Sequence, residues 1–183
     1  MVLTTVTDFV DPIAQLNEYQ QLLLRHLGDD DPAEVQSGTL AEARRLFAAA
    51  GPALRTRPEP REWSVFECIA HIADAEIVYS GRYRWILAHD KPDIPGYDQD
   101  LWIDTLHAVG EDSVDELFAV FEPLRAANIA LWHRTPVDQR ARYGMHSERG
   151  PESYELSFKL IAGHDRFHLD QAQRTLEQVR PGS

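Results

Sequence analysis

The sequence predicts an all-α protein, a bundle of four or five amphipathic helices. Apolar residues recur at the helical period in several long runs, and typical capping residues precede those runs. No segment alternates apolar and polar residues for long enough to predict an extended sheet. A chain of 183 residues can bury a substantial core, so we expect a single helical-bundle domain spanning residues 1–183.

The composition limits the expected partners and compartment. Lysine and arginine total 18 against 30 acidic residues, which leaves a formal net charge of -12. A surface this negative repels phosphate backbones and anionic lipids, so neither a nucleic acid nor a membrane is an expected partner. The chain has one cysteine, no signal-peptide pattern at its start and no long apolar run. These features predict a cytoplasmic protein.

The N-terminal part of the chain predicts two helices. Asp11-Pro12 is typical of a helix start, and the apolar run after it ends at Gly28. The second helix is expected to begin at Thr39, which has capping-box spacing to Glu42. Gly51-Pro52 interrupts this second pattern and is compatible with an early end of the helix.

The middle of the chain predicts one long helix followed by a loop. Ser64 and Glu67 have capping-box spacing, so Ser64 is the expected N-cap of a helix that continues to about Ala88. Residues 91–98 contain two prolines and a glycine, which indicates a loop. A short helical turn is expected within residues 98–108.

The C-terminal part predicts two further long helices. The first begins at Asp112 or Ser113, and Pro123 inside its pattern predicts a kink. A connection follows, in which residues 140–145 are compatible with a short strand. The last helix is expected over about residues 152–179.

Two histidines four residues apart lie in the middle of the last helix. His168 lies about 40° round the helix axis from His164, and Gln171 returns to nearly the same line. The charged and amide residues fall on the opposite side, namely Glu155, Lys159, Arg166, Asp170, Gln173 and Glu177. The pair therefore faces the protein interior. Interior imidazoles are either metal ligands or core histidines with hydrogen-bond partners, and the spacing leaves both alternatives open.

A third histidine, His71, lies in the long central helix. Apolar residues such as Ile69 and Ile72 lie roughly opposite it, so periodicity alone predicts that His71 is on a polar, solvated face. Glu67 and Cys68, about one turn earlier, are alternative ligands. Glu67 already has a capping role, and a lone helical cysteine more often packs in the core.

Two motifs in this chain resemble those of the DinB/YfiT-like superfamily. The first comprises Trp63-Ser64, Glu67, His71 and Asp74, and the second comprises His164-Asp165 and His168. The resemblance extends over about residues 40–176. It implies a four-helix bundle, here with an additional N-terminal helix, and a divalent metal ion held by His71, His164 and His168. Imidazole ligands suit zinc or nickel and leave iron, manganese and copper open.

The resemblance also implies a class of activity. It implies a metal-dependent enzyme, either a thiol-dependent S-transferase that uses a low-molecular-weight thiol such as bacillithiol or mycothiol, or a metal-dependent hydrolase. A non-catalytic, stress-associated metal-binding protein is the alternative. An open cavity beside the histidines would favour the enzyme, whereas tryptophans filling that space would favour the alternative. Members tend to form homodimers, so we expect a homodimer that binds a small-molecule substrate or thiol.

Four further residues are candidates for roles around the metal. Glu67 and Asp74 are candidate general bases because of their spacing from His71. Gln171 is a candidate for orienting a ligand or substrate, and His146 for lining the mouth of the pocket. The other histidines are interpreted as surface or loop residues: His26, His89, His107 and His133.

Overall fold

Four long helices form a bundle, and a shorter N-terminal helix packs outside it. The computed structural model describes residues 16–107 and 112–180. Its helices are α1 Glu18–Leu27, α2 Pro32–Ala50, α3 Val65–Ala88, α4 Gln99–Trp102, α5 Val114–Arg134 and α6 Tyr154–Val179. Helices α2, α3, α5 and α6 pack against one another, and α1 lies against α6. The predicted four-helix bundle with an additional N-terminal helix is therefore confirmed.

Helix α1 is described over Glu18–Leu27. The predicted start at Asp11 lies outside the described residues. Asn17 has an extended backbone and forms a capping box with Gln20, so the described helix begins immediately after Asn17. The predicted end is confirmed, since α1 stops at Leu27 and Gly28 follows with a φ of 63°.

Helix α2 begins earlier than predicted. The side chain of Asp31 accepts hydrogen bonds from the first-turn N–H groups, and Pro32 occupies the first turn, so the predicted start at Thr39 is wrong. The Thr39 hydroxyl donates instead to the Asp165 carboxylate at 2.7 Å. Thr39 therefore makes a buried contact with α6, and its three-residue spacing to Glu42 does not mark a helix cap. Gly51 ends α2, which confirms the early end.

The other long helices have the caps that the sequence predicts or ones close to them. Ser64 and Glu67 form the predicted capping box of α3, and Ser113 caps α5. Helix α5 continues through Pro123, whose predicted kink stays a prediction. Helix α6 begins two residues later than expected, because Ser153 is its N-cap. None of the described helices combines the length and the apolar character that crossing a membrane requires.

A short three-stranded sheet contacts α3, and two of its strands lie between α5 and α6 in the chain. Its strands are β1 Asp93–Ile94, β2 Tyr143–His146 and β3 Gly150–Ser153. Strand β1 is parallel to β2, with Ile94 opposite His146, and β2 and β3 form an antiparallel hairpin. Residues 140–145 were compatible with a short strand, and the structure has one over residues 143–146. The sheet holds His146 and the hairpin turn beside the bundle.

Helix α3 is buried on its polar side as well as on its apolar side. Ile69 and Ile72 lie in the main hydrophobic core, with exposed fractions of 0%. His71 and Arg82 are each only 1% exposed, and Asp74 is 5% exposed. The expectation that the His71 face is solvated is therefore wrong. Periodicity fails here because α3 lies at the centre of the fold, where α5, α6 and the sheet cover its polar side chains.

Helices α1 and α6 approach so closely that a side chain at residue 163 has no space. A Cβ atom at Gly163 would overlap the backbone carbonyl of Leu23. We expect Gly163→Ala to lower the free energy of unfolding by about 1–3 kcal/mol, because relieving the overlap must separate two packed helices. Urea denaturation followed by circular dichroism measures the change.

The matched control for this substitution is Gly38→Ala, in the exposed part of α2. Nothing lies within 4 Å of a Cβ built there. Alanine is favoured over glycine in helices by up to about 1 kcal/mol, so Gly38→Ala should be neutral or stabilising. Equal midpoints for the two variants would show that α1 does not pack against α6 as described.

Candidate metal centre

Three histidines from two helices meet inside the bundle. His71 on α3 and His164 and His168 on α6 each offer one ring nitrogen, and these nitrogens all lie within 4.8 Å of one another. The three ring centroids are separated by 4.4, 4.5 and 4.7 Å. All three residues are buried. The structure therefore brings together the pair that helical spacing placed on one face and the third histidine that the resemblance implied.

The hydrogen bonds of the rings leave nitrogen lone pairs for a ligand. The Nδ1 of His168 lies 2.8 Å from the Oε1 of Gln171, which can only accept, so Nδ1 carries the proton. The Nε2 of His168 is then an acceptor, and it has no hydrogen-bond partner among the described residues. The Nε2 atoms of His71 and His164 lie 2.8 Å apart. This donor set fits a divalent metal ion, for which neutral imidazoles are common ligands.

Burial keeps two of these imidazoles in their metal-binding form. It lowers the pKa of His71 well below 6.5, and the neighbouring imidazoles lower it further. Burial also lowers the pKa of His168 well below 6.5, with a smaller contribution from His164. Because protonated imidazole cannot coordinate a metal, a depressed pKa favours binding at neutral pH.

Aromatic rings cover one side of the three histidines. The Trp63 ring centroid lies 4.9 Å from that of His71 and 5.7 Å from that of His168. Phe167 packs edge-on against His168 at 4.9 Å. These contacts fix the ring planes by packing, so the indole acts as a wall of the site.

A cavity of about 230 Å³ lies beside the histidines and is lined by His71 and His164. The polar and aromatic side chains around it come from α1, α3, the loop before α4, and the hairpin turn: Tyr19, Tyr79, Arg82, Tyr97, His146 and Arg149. A second cavity, of about 460 Å³, lies on the His168 side and is also lined by Gln171. The tryptophan therefore does not fill the space beside the histidines.

The two candidate general bases have other partners. Glu67 accepts from the Ser64 N–H at 2.8 Å and pairs with Arg57 at 2.7 Å, so its carboxylate stabilises the start of α3. Asp74 lies 3.0 Å from the Nε2 of His107. Neither belongs to the group of three converging histidines. Their role as general bases stays a prediction.

His107 is buried, so its interpretation as a surface or loop residue is wrong. It ends a π-helical turn over Ile103–His107, and this turn packs against α3. Its ring bridges Asp74 at 3.0 Å and Asp112 at 2.7 Å, and the hydrogen bond to Asp74 is the main cause of its raised pKa. A sequence pattern does not show this arrangement, because its three residues come from separate segments.

The cavity also contains residues that bear on the sequence-based assignments. His146 lines it and is 3% exposed. Its predicted role at the mouth of the pocket stays a prediction. Arg82 was not identified from the sequence. It follows His71 by 11 residues, or three helical turns, so the two lie only about 20° apart round α3. A helical projection centred on His71 would have found it.

Comparisons with known proteins agree with this architecture. The chain is 24% identical over 110 residues to a protein of Oceanobacillus iheyensis provisionally named a metal-dependent hydrolase. The match covers 58% of this chain, and the chain spans only 61% of that relative's length.

A solved structure shares the fold. It is YfiT from Bacillus subtilis, described as a probable metal-dependent hydrolase with an unusual four-helix bundle topology. Its TM-score is 0.71 at 20% sequence identity, over 79% of this chain and 83% of the other. The sequence profile of the DinB superfamily matches residues 37–172, a range that contains all three histidines. The chain therefore belongs to the DinB superfamily.

Proposed function

We propose that this protein is a metal-dependent hydrolase that acts on small molecules in the cavity beside His71 and His164. The observation that supports this function is the opening of the three-histidine group into that cavity. A structural zinc site is usually closed by four protein ligands, whereas a catalytic site keeps a position for water or substrate. Three protein nitrogens next to an accessible cavity match the second type.

Each residue of the site has a distinct role in this proposal. His71, His164 and His168 hold the ion, for which zinc or nickel is our first expectation. A metal ion bound there would supply Lewis-acid chemistry and would lower the pKa of a bound water molecule toward neutrality. Gln171 holds the proton on Nδ1 of His168 and so presents Nε2 to the ion. Trp63 packs against the rings of His71 and His168 and fixes their orientation.

A thiol-dependent S-transferase is the second candidate, and Cys68 bears on it. Cys68 is fully buried, and burial strongly raises the pKa of its thiol. A buried neutral thiol is a poor nucleophile. A transferase built on this site therefore requires a thiol from outside the chain, which the cavity would have to admit together with an electrophile.

Hydrolysis should depend on the bound metal. We expect metal-loaded protein to hydrolyse members of a panel of small esters, amides and phosphate esters, and we expect a chelator to remove the activity and added metal to restore it. The same preparations are assayed with a low-molecular-weight thiol and an electrophile. His133→Ala is the control, because His133 is exposed on α5 and should leave the rates unchanged.

The outcomes separate the three candidate functions. Product formation that requires the added thiol would contradict the hydrolase proposal and favour the S-transferase. Fully metal-loaded protein that converts none of these substrates would contradict both and favour a non-catalytic metal-binding protein. We also propose a homodimer, as expected for this family, and sedimentation at micromolar concentration tests it against the 20.8 kDa monomer.

A further inference from the structure

We propose that the cavity beside the three histidines binds an oxyanion group of the substrate, a carboxylate or a phosphate, through Arg82 and His146 with Arg149 alongside. That the bound anion is a substrate rests on the proposed function. The anion site itself consists of residues outside the metal ligands, so it can be tested without metal.

Arg82 carries a buried positive charge without a negative partner. It is 1% exposed, and among the described residues no carboxylate lies within ion-pair distance of it. Its Nη2 donates to the carbonyl of Pro95 at 2.7 Å, and its guanidinium lies 4.6 Å from the ring centroid of Tyr79. Its Nε–H, also buried, has no partner in the described part of the chain. Burying an unpaired guanidinium is costly, and an incoming anion would remove that cost.

His146 supplies a second buried donor to the same cavity. Its Nδ1 accepts a hydrogen bond from the Glu148 N–H at 3.2 Å, so the ring proton lies on Nε2. That Nε2 is buried and has no partner among the residues described here. Burial, aided by the charges of Arg149 and Arg82, lowers the pKa of His146 to about 4. The ring is therefore a neutral N–H donor at physiological pH.

A second arginine adds positive charge next to these donors. Arg149 pairs with the buried carboxylate of Glu152 at 2.7 Å and donates to the Tyr79 hydroxyl at 3.3 Å. Arg82 and Arg149 therefore both contact Tyr79. The acidic residue among those that line the cavity is Glu148, whose side chain lies near Gly96 and whose residue is exposed. Solvent screens its charge more strongly than that of buried Arg82.

The position and size of this cluster suit a small anionic substrate. The chain has a net charge of -12, so a positive cavity is not a consequence of its general composition. The volume of about 230 Å³ is below the roughly 300–1,000 Å³ of drug-sized ligand pockets. His71 and His164 line the same cavity. A small molecule held by its anionic group would thus place its remaining atoms next to the metal ligands.

The test measures anion binding to metal-free protein by isothermal titration calorimetry. The probes are butyrate, inorganic phosphate and the neutral amide butyramide. Wild-type protein should bind at least one anion and should not bind butyramide. Arg82→Gln should weaken anion binding by at least about 10-fold, the loss expected for a hydrogen bond to a charged group. His146→Phe should also weaken it, and Arg134→Gln, which removes an exposed charge outside the cavity, should not.

Each outcome decides the inference. Binding of butyrate or of phosphate alone identifies which oxyanion the cavity accepts. No anion binding by the metal-free wild type, or unchanged affinity in both Arg82→Gln and His146→Phe, would overturn it. If neither variant folds, NMR of the wild-type protein replaces this comparison. The Arg82 Nε–H resonance should shift when the anion is added, and an unchanged resonance would overturn the inference.

The two proposals also fail separately. Hydrolysis that persists in a protein without anion binding would refute this inference alone. Anion binding in a protein that converts no substrate would refute the hydrolase alone.

Discussion

Replacement of any one of His71, His164 and His168 by alanine should remove most of the metal from the purified protein. Two remaining imidazoles cannot match the affinity of three converging ones. The loss should exceed the roughly 10- to 100-fold that follows removal of an outer hydrogen-bond partner of a ligand. Elemental analysis of protein purified without added metal measures the content. His133→Ala, on the exposed surface of α5, should retain the wild-type amount.

Gln171→Leu provides a graded version of this experiment. It removes the acceptor that holds the proton on Nδ1 of His168 but leaves all three histidines in place. Metal affinity should therefore fall by roughly 10- to 100-fold, less than in the alanine variants.

Full metal content in His71→Ala together with loss of metal in His164→Ala would show that the third ligand is misassigned. Cys68 and Glu67 are the next residues to substitute in that case.

The pH dependence of metal binding follows from the lowered pKa values of His71 and His168. Protons compete with metal for a ring nitrogen only near and below the pKa of the folded, metal-free protein. Because burial lowers that pKa, affinity should persist below the ordinary imidazole value of 6.5 and fall at more acidic pH. Competition titrations with a chromophoric chelator between neutral and acidic pH measure this. If the affinity already falls at pH 6.5 as the solution is acidified, the pKa values are not lowered and the rings are solvated.

Arg125→Met should strongly destabilise the protein. Arg125 is 1% exposed and forms ion pairs with Glu76, at 2.8 Å, and with Asp165. Both carboxylates are buried, so removing the guanidinium leaves two uncompensated charges in the core. The expected decrease in the free energy of unfolding is about 3–5 kcal/mol. Urea denaturation monitored by circular dichroism measures it.

The control removes an arginine from a surface ion pair. The side chains of Arg44 and Glu122 are 50% and 51% exposed and lie 2.8 Å apart. Solvent screens such a pair, so Arg44→Met should cost at most about 1 kcal/mol. An Arg125→Met protein as stable as the Arg44→Met protein would show that the carboxylates are neutral or hydrated in the native state.

The buried network around Arg125 explains why the capping-box spacing at Thr39 does not mark the start of α2. The guanidinium of Arg125 lies between α2, α3 and α6. Its Nη1 donates to the carbonyl of Gln36 at 3.1 Å, and its partner Asp165 accepts from Thr39. Thr39 is a polar residue required by a contact between helices distant in sequence. Its spacing to Glu42 predicted a helix cap, because capping motifs and buried polar contacts use the same residue types.

Helical periodicity and capping were sufficient for the elements whose determinants are local. Ser64 with Glu67 marked the start of α3, Gly28 marked the end of α1, and the four-residue spacing of His164 and His168 placed both rings on one inward face. Each depends on backbone geometry over one or two turns, which a single sequence contains.

Only the tertiary structure decided what surrounds those histidines. Periodicity placed His71 on a solvated face, whereas packing of α6 and the sheet against α3 buries it. The cavity combines Arg82 from α3 with His146 from β2, residues separated by 64 positions in the chain. The sequence by itself determined which face of each helix is apolar and that His164 and His168 share an inward face. Which polar faces meet, and which buried donors are left without partners, depends on contacts between segments distant in the chain, and no local period encodes them.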